Sequence, residues 1–211
     1  MPTGQRLIRV LTVDDHALLR KGIRALIGAE SDMQLVAEAT TGREAFEAFR
    51  AHKPDITLMD LQMPDMNGIE AIIAIRGEFP EARIIVLSTY AGDAQVVRAL
   101  KAGARAYLVK GNVNKELLTT IRAVHAGQKR ISAEVASDLA EHTGEDELTG
   151  REIDVLRLIS AGNANKEIAA QLDLAEDTVK RHVTNILSKL RANDRTHAVT
   201  IGLKRGIIEL Q

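Results

Sequence analysis

Asp55-Ile-Thr-Leu-Met-Asp60-Leu-Gln-Met-Pro-Asp65-Met-Asn-Gly68 decides how this chain folds. Its run from Ile56 to Met59 is apolar or β-branched, too short for a helix and bounded by turn residues, which reads as a buried parallel strand. The strand ends on a carboxylate, Asp60. In open α/β sheets the reactive crevice lies outside the carboxyl ends of the strands. Pro64 and Gly68 then force a tight connection, and a helix follows. An acid thus stands at the mouth of a sheet, in reach of a small ligand or a metal. By itself, Asp ahead of a Pro/Gly turn is ordinary turn chemistry, so the surrounding chain has to decide its meaning.

Working outward, the same unit recurs. Ile8 to Val13 is a strand that stops at Asp14-Asp15, and a helix follows with Leu18, Leu19, Ile23, Leu26 and Ile27 as its apolar stripe. Leu35-Val36-Ala37 is strand two, and Thr41-Gly42 opens the next helix. After the Asp60 strand a helix runs from about Asn67 to Gly77. Arg83 to Ser88 is the most apolar strand, and a helix runs near Asp93 to Lys101. Gly103 to Val109 is strand five, ending on Lys110, and a last helix spans about Asn114 to Ala126. Five alternations of strand and helix predict a five-stranded parallel sheet, doubly wound, with right-handed crossovers and helices on both faces.

Such a sheet brings its strand ends to one edge. There Asp14, Asp15 and Asp60 meet the Ser88 hydroxyl and the Lys110 ammonium. Any one of these residues could merely cap an element; five at one edge make a site. Three carboxylates repel one another and call for a cation, and oxygen ligands select a hard ion, Mg²⁺. A metal held by acids beside a free carboxylate, a lysine and a hydroxyl is apparatus for phosphoryl transfer, with Asp as nucleophile.

From about Leu7 to Ala126, the residues Asp14-Asp15, Leu58-Met-Asp60, Met63-Pro64, Gly68, Ser88 and Lys110, in this order and spacing, resemble the receiver domain of two-component response regulators. The resemblance implies a flavodoxin-like fold with Asp60 as phosphoacceptor. It also implies Mg²⁺ on Asp15, Asp60 and the Gln62 carbonyl, with Asp14 acting through water. Ser88 would follow the phosphoryl group, Lys110 would bind it, and Tyr107 would be the switch aromatic that swings inward behind Ser88. Two residues depart from the family. Gly111 replaces the proline that usually follows Lys110, which predicts a trans bond, a looser loop and a less firmly placed Lys110. Thr89-Tyr90 follows Ser88, and Tyr90 is expected over the phosphoryl site, where it would alter water access.

The composition bounds the rest. The chain has 211 residues, 45% of them hydrophobic, a net charge of −1 and no cysteine. It suits two small domains, excludes thiol chemistry, and has no apolar run near the roughly 20 residues of a membrane span. A cytoplasmic protein without a membrane contact is expected. The expected domains are 1–127, a linker at 128–146, and 147–211. Within the linker, Ser132 to Glu141 could form a short amphipathic helix.

The third segment reads as helices alone. Thr149-Gly-Arg-Glu152 is a capping box opening a helix that stops near Gly162. Asn165 to Leu172 is a second short helix, Asp173-Leu-Ala175 a tight break, and Glu176 to about Leu190 a longer helix. Its stripe is Val179, Val183, Ile186, Leu187 and Leu190; Arg181, Thr184, Asn185 and Ser188 stand opposite, with Lys180 on the flank. A fourth helix spans about Arg195 to Arg205. Two short helices around a tight turn, the second with a basic and amide-bearing face, predict a helix-turn-helix. Lys180 and Arg181 can donate to guanine or phosphate, and Asn185 can read adenine. Ten basic residues against nine acidic in 147–211 leave electrostatics alone undecided.

Leu148-Thr-Gly-Arg-Glu152, Val155-Leu156, Gly162, Asn165-Lys-Glu-Ile-Ala169, Thr178-Val-Lys180, His182-Val183 and Ile186-Leu187-Lys189-Leu190 resemble the LuxR-type (NarL/FixJ-type) DNA-binding domain. The resemblance implies four helices, with the third in the major groove carrying Lys180, Arg181 and Thr184 to the bases. Asn165, Lys166 and Lys189 would lie nearer the DNA backbone, and the fourth helix would dimerise. Gly150 replaces a proline and Ala175 a serine N-cap, so the third helix is expected to start raggedly and firm up on DNA.

Together the two resemblances imply a phosphorylation-controlled transcriptional regulator. A sensor histidine kinase would supply the phosphoryl group, and a homodimer would bind double-stranded DNA through the last helix, the receiver or both. The alternative is a phosphorylation-independent DNA-binding regulator whose receiver only dimerises. An aspartyl-phosphate phosphatase would need a second acid and a substrate cap, and the sequence offers neither. Catalysis beyond acceptance and hydrolysis of its own phosphoryl group is not expected.

Overall fold

The computed structural model describes residues 6–89, 93–131, 136 and 148–208. The chain divides into two compact units. The first carries β1 (Ile8–Val13), α1 (Ala17–Gly28), β2 (Met33–Ala39), α2 (Gly42–His52), β3 (Ile56–Asp60), α3 (Gly68–Glu78), β4 (Ile84–Ser88), α4 (Asp93–Ala102), β5 (Ala106–Val109), α5 (Val113–His125) and β6 (Arg130–Ile131).

The sheet is wholly parallel, in the order β2-β1-β3-β4-β5-β6. It therefore has six strands where the sequence pattern predicted five. The sixth comes from the stretch expected to be linker. Arg130 pairs with Ala106, Ile131 pairs with Tyr107, and the Arg130 N–H donates to the Arg105 carbonyl at 2.9 Å. The expected linker helix at Ser132 to Glu141 lies almost entirely outside the described residues.

Strand alternation divides the core by face. Val10, Ile56, Leu58, Ile85, Leu87, Ala106 and Leu108 point to one side, where α1 and α5 cover them with Ile23, Ile27, Leu117 and Ile121. α2 and α3 pack together as a second pair. Leu18, expected in the α1 stripe, is instead 85% exposed. At 100° per residue it sits about 140° around the helix from Ile23. Two helices start on side-chain caps: the Thr41 hydroxyl accepts from the Glu44 N–H at 3.2 Å, and Asn67 and Glu70 form a reciprocal capping box.

The second unit is helical: α6 (Gly150–Ser160), α7 (Asn165–Leu172), α8 (Glu176–Lys189) and α9 (Arg195–Lys204). Its core joins Val155, Leu156, Ile159, Ile168, Val179, Ile186, Leu190 and Ala198. The Thr149–Glu152 capping box forms as expected. The turn between α7 and α8 passes through Asp173 in the left-handed region at φ 53°. No side chain caps α8, yet its first turn is not ragged, because the Thr178 and Val179 N–H groups close on the Ala175 carbonyl at 3.0 and 3.2 Å. The apolar side of α9 joins this core through Ala198, Val199, Ile201 and Leu203.

Candidate functional site

β3 delivers Asp60 to the carboxyl edge of the sheet, and Gly68 sets the floor beneath it. A Cβ at Gly68 would stand 2.0 Å from the Asp60 carbonyl oxygen, so only glycine lets α3 begin this close to the strand. The Gly68 N–H donates to the Leu61 carbonyl at 3.0 Å and closes the turn.

Around Asp60 the expected groups converge. Lys110 Nζ donates to Asp60 Oδ2 at 2.8 Å and lies 2.9 Å from Asp14 Oδ2. Asp14 and Asp60 are both buried. The backbone N–H of Gln62 donates to Asp60 Oδ1 at 3.2 Å. Lys110 is held more firmly than the missing proline suggested. A 3₁₀ turn at Lys110–Asn112 takes the proline's place, and two carboxylates clamp the ammonium. All peptide bonds are trans among the described residues.

Burial pushes the Asp60 carboxyl above its ordinary range; Lys110 opposes the shift, and the neighbouring Asp14 charge adds to it. Burial acts against the charge on Lys110, but its bonds to Asp60 and Asp14 win and hold its pKa above the usual value. Ser88 ends β4, buried. Behind it Tyr107 is completely buried, with its hydroxyl hydrogen-bonded to Ser88. Burial first, then the Asp60 charge, pushes the Tyr107 phenol up to about 12, while the Ser88 bond pulls the other way. Tyr90 lies outside the described residues.

One member of this cluster carries no expectation from the sequence pattern. His16 Nδ1 is 2.7 Å from Asp15 Oδ1 and 3.2 Å from Asp14 Oδ1, and the His16 N–H donates to Asp14 Oδ1 at 2.8 Å. The signal lay in the Asp14-Asp15-His16 triplet. Ligand atoms of Asp14, Asp15, His16 and Asp60 all lie within 4.8 Å of one another. Three carboxylates meet here and Lys110 pairs with only two of them, so the donor set fits a divalent cation of the hard, oxygen-seeking kind.

On the helical unit, α8 buries Val179 and Ile186 and exposes Lys180, Arg181, Thr184 and Asn185 together. Lys166 is exposed at the start of α7, and Asn165 beside it is half-buried. Lys189 is placed differently from the expectation of a lysine turned toward DNA. Its Nζ donates to the buried Glu152 carboxylate at 2.9 Å, bracing α8 against α6. Lys180 Nζ donates to Asp177 Oδ1 at 3.0 Å on its own helix.

Comparisons with known proteins agree on both halves. Residues 10–122 match the response regulator receiver domain, and residues 146–201 match the bacterial regulatory proteins of the luxR family. The uncharacterized transcriptional regulatory protein YhcZ of Bacillus subtilis is 41% identical, covering 93% of this chain and 96% of its own length. The response regulator protein VraR of Staphylococcus aureus is 37% identical, covering 96% and 99%. The crystal structure of response regulator ChrA, from a heme-sensing two-component system, matches with TM-score 0.57 and 32% identity over 96% of this chain and 99% of that one. The chain therefore belongs to the LuxR-type response regulators, as a DNA-binding transcriptional regulator whose receiver places it under phosphorylation control.

Proposed function

We propose that Asp60 accepts a phosphoryl group from the phosphohistidine of a sensor histidine kinase. An Asp60 carboxylate oxygen attacks phosphorus, the P–N bond breaks, and the imidazole departs. The observation that supports this is the seat of Lys110, 2.8 Å from Asp60, where an ammonium can follow charge onto the incoming phosphoryl oxygens. Asp15, Asp60 and the Gln62 carbonyl would hold Mg²⁺, with Asp14 acting through water; bound there, the ion neutralises phosphoryl charge. Ser88 bonds the new group in place of Tyr107, and that exchange changes the receiver's surface. Hydrolysis of the acyl phosphate at the same site resets it. The protein works in the cytoplasm, with a receiver that extends through β6 to Ile131 rather than ending at 127, a linker after it up to 146, and 147–211 as DNA-binding domain.

The output is double-stranded DNA bound by a homodimer, through α9, the receiver or both. Lys180, Arg181, Thr184 and Asn185 face the bases, and Asn165 and Lys166 stand nearer the backbone, whereas Lys189 stays on Glu152. The deciding experiment measures DNA binding at a stated salt concentration, with and without a small phosphodonor and Mg²⁺. The donor is expected to tighten binding by wild type and not by Asp60→Ala. Equal binding by both, indifferent to the donor, would leave a constitutive DNA-binding protein with the receiver as a dimerisation module.

A further inference from the structure

The exposed face of α8 carries acids as well as the cations expected to meet DNA. Asp177 is 91% exposed, so packing does not hold it; its carboxylate instead reaches Lys180 Nζ at 3.0 Å, and Glu176 Oε1 stands 3.6 Å from the same nitrogen. Both acids lie in the first turn of α8. Lys189, the cation of the last turn, is already engaged by Glu152. α8 thus meets DNA with both of its lysines, Lys180 and Lys189, paired inside the protein.

We propose that Asp177 is a specificity-determining residue, which withholds Lys180 from phosphates and gives it up only where base contacts replace the pair. The inference rests on the DNA-binding reading. Its physics is that of counterion release. Each cation placed on a phosphate adds about one unit to the salt slope of binding, whatever the sequence. A lysine tied to its own carboxylate adds little to that sequence-independent term. At a base edge the pair can be exchanged: Lys180 donates to guanine, and Asp177 can accept from a cytosine amino group. Asp177 also stands at the positive end of the α8 dipole, which is the ordinary place for an acid. A purely dipolar role predicts the opposite sign, since losing the acid would loosen α8 and weaken binding.

The test uses the full chain and a random-sequence duplex, read by fluorescence anisotropy across a salt series, with thermal melting as the fold control. The proteins are wild type, Asp177→Asn, Lys180→Met and the double variant. Asp177→Asn is expected to tighten binding about fivefold and to steepen the salt slope by about one unit. In the Lys180→Met background the same change is expected to yield about twofold or less, with no steepening. Equal gains in both backgrounds would reduce Asp177 to general negative charge and overturn the inference. Weaker binding with a lower melting temperature would make Asp177 a helix cap and overturn it equally. If wild type ignores the duplex even at low salt, the DNA-binding reading fails and takes the inference with it.

Discussion

Lys110 and Asp60 form a buried ion pair across the ends of two strands, β5 and β3, that are not neighbours in the sheet. The lysine spans the end of β4 and meets Asp14 as well, 2.9 Å away. Removing it strands two buried carboxylates. Lys110→Met is expected to cost about 3–5 kcal/mol at neutral pH. Urea unfolding of variant and wild type at pH 7 and near pH 4 checks it, because the deficit must shrink in acid as Asp60, whose carboxyl burial holds above its ordinary range, takes up its proton. A deficit that stays constant with pH would rule out the charge argument.

Asp60→Asn should act in the opposite direction. The buried trio carries two negative charges against one positive, and the raised pKa of Asp60 means that the fold favours its neutral form. Below the unfolded value the carboxyl is neutral in both states. As pH rises through the folded value, ionisation is forced and stability falls. An amide escapes this, so the variant should melt about 3 °C higher at pH 7, on the order of 1 kcal/mol. Added Mg²⁺ should raise the melting temperature of wild type more than that of the variant.

Tyr107 makes a prediction at the alkaline end. Its phenol is pushed up to about 12, against about 10 in an unfolded chain. The contribution is intact below pH 10 and is lost as pH rises toward 12, because only the unfolded state then ionises. Ultraviolet titration should show a late phenolate transition that Tyr107→Phe removes. A wild-type titration finished by pH 11 would contradict the buried, Ser88-bonded placement.

Lys189 and Glu152 divide stability from DNA contact. Burial would raise the Glu152 pKa, but the bonds from Lys189 and the Thr149 N–H prevail and lower it. The stabilisation is present above the ordinary value of 4.5 and fades as pH falls through the folded value. Lys189→Met leaves Glu152 buried without its cation and should cost about 2–4 kcal/mol. Lys166→Met, on an exposed residue, should change stability by less than about 0.5 kcal/mol. Melting of the two variants alongside their DNA affinities separates the roles.

Gly68→Ala tests the floor of the site. The methyl would meet backbone rather than a side chain that can yield. Overpacking of this kind costs about 1–3 kcal/mol or more, and the turn that aims Asp60 must shift with it. Phosphorylation by a small donor should fall alongside stability.

The legible parts of this protein were those with a local rule. The β-strands ending on Asp14, Asp60, Ser88 and Lys110 announce themselves by apolar runs stopped by polar residues. Thr149 to Glu152 marks a helix start through a reciprocal cap. What escaped was non-local. β6 is two residues long, exposed, and shaped only by its pairing with β5. The site role of His16 depends on how Asp14 and Asp15 are turned, and the engagement of Lys189 depends on a glutamate 37 positions away. Leu18 fits a loose apolar count but lies on the wrong side of its helix.

The pairing of Ile131 with Tyr107 bears on where the chain can be cut. A fragment ending at residue 127, where periodicity alone would place the boundary, removes the strand that covers β5. It leaves the backbone groups of Ala106 and Tyr107 on an open edge, the kind that recruits strands from other molecules. A fragment carried past Ile131 keeps that edge closed and is the one to study as an isolated receiver.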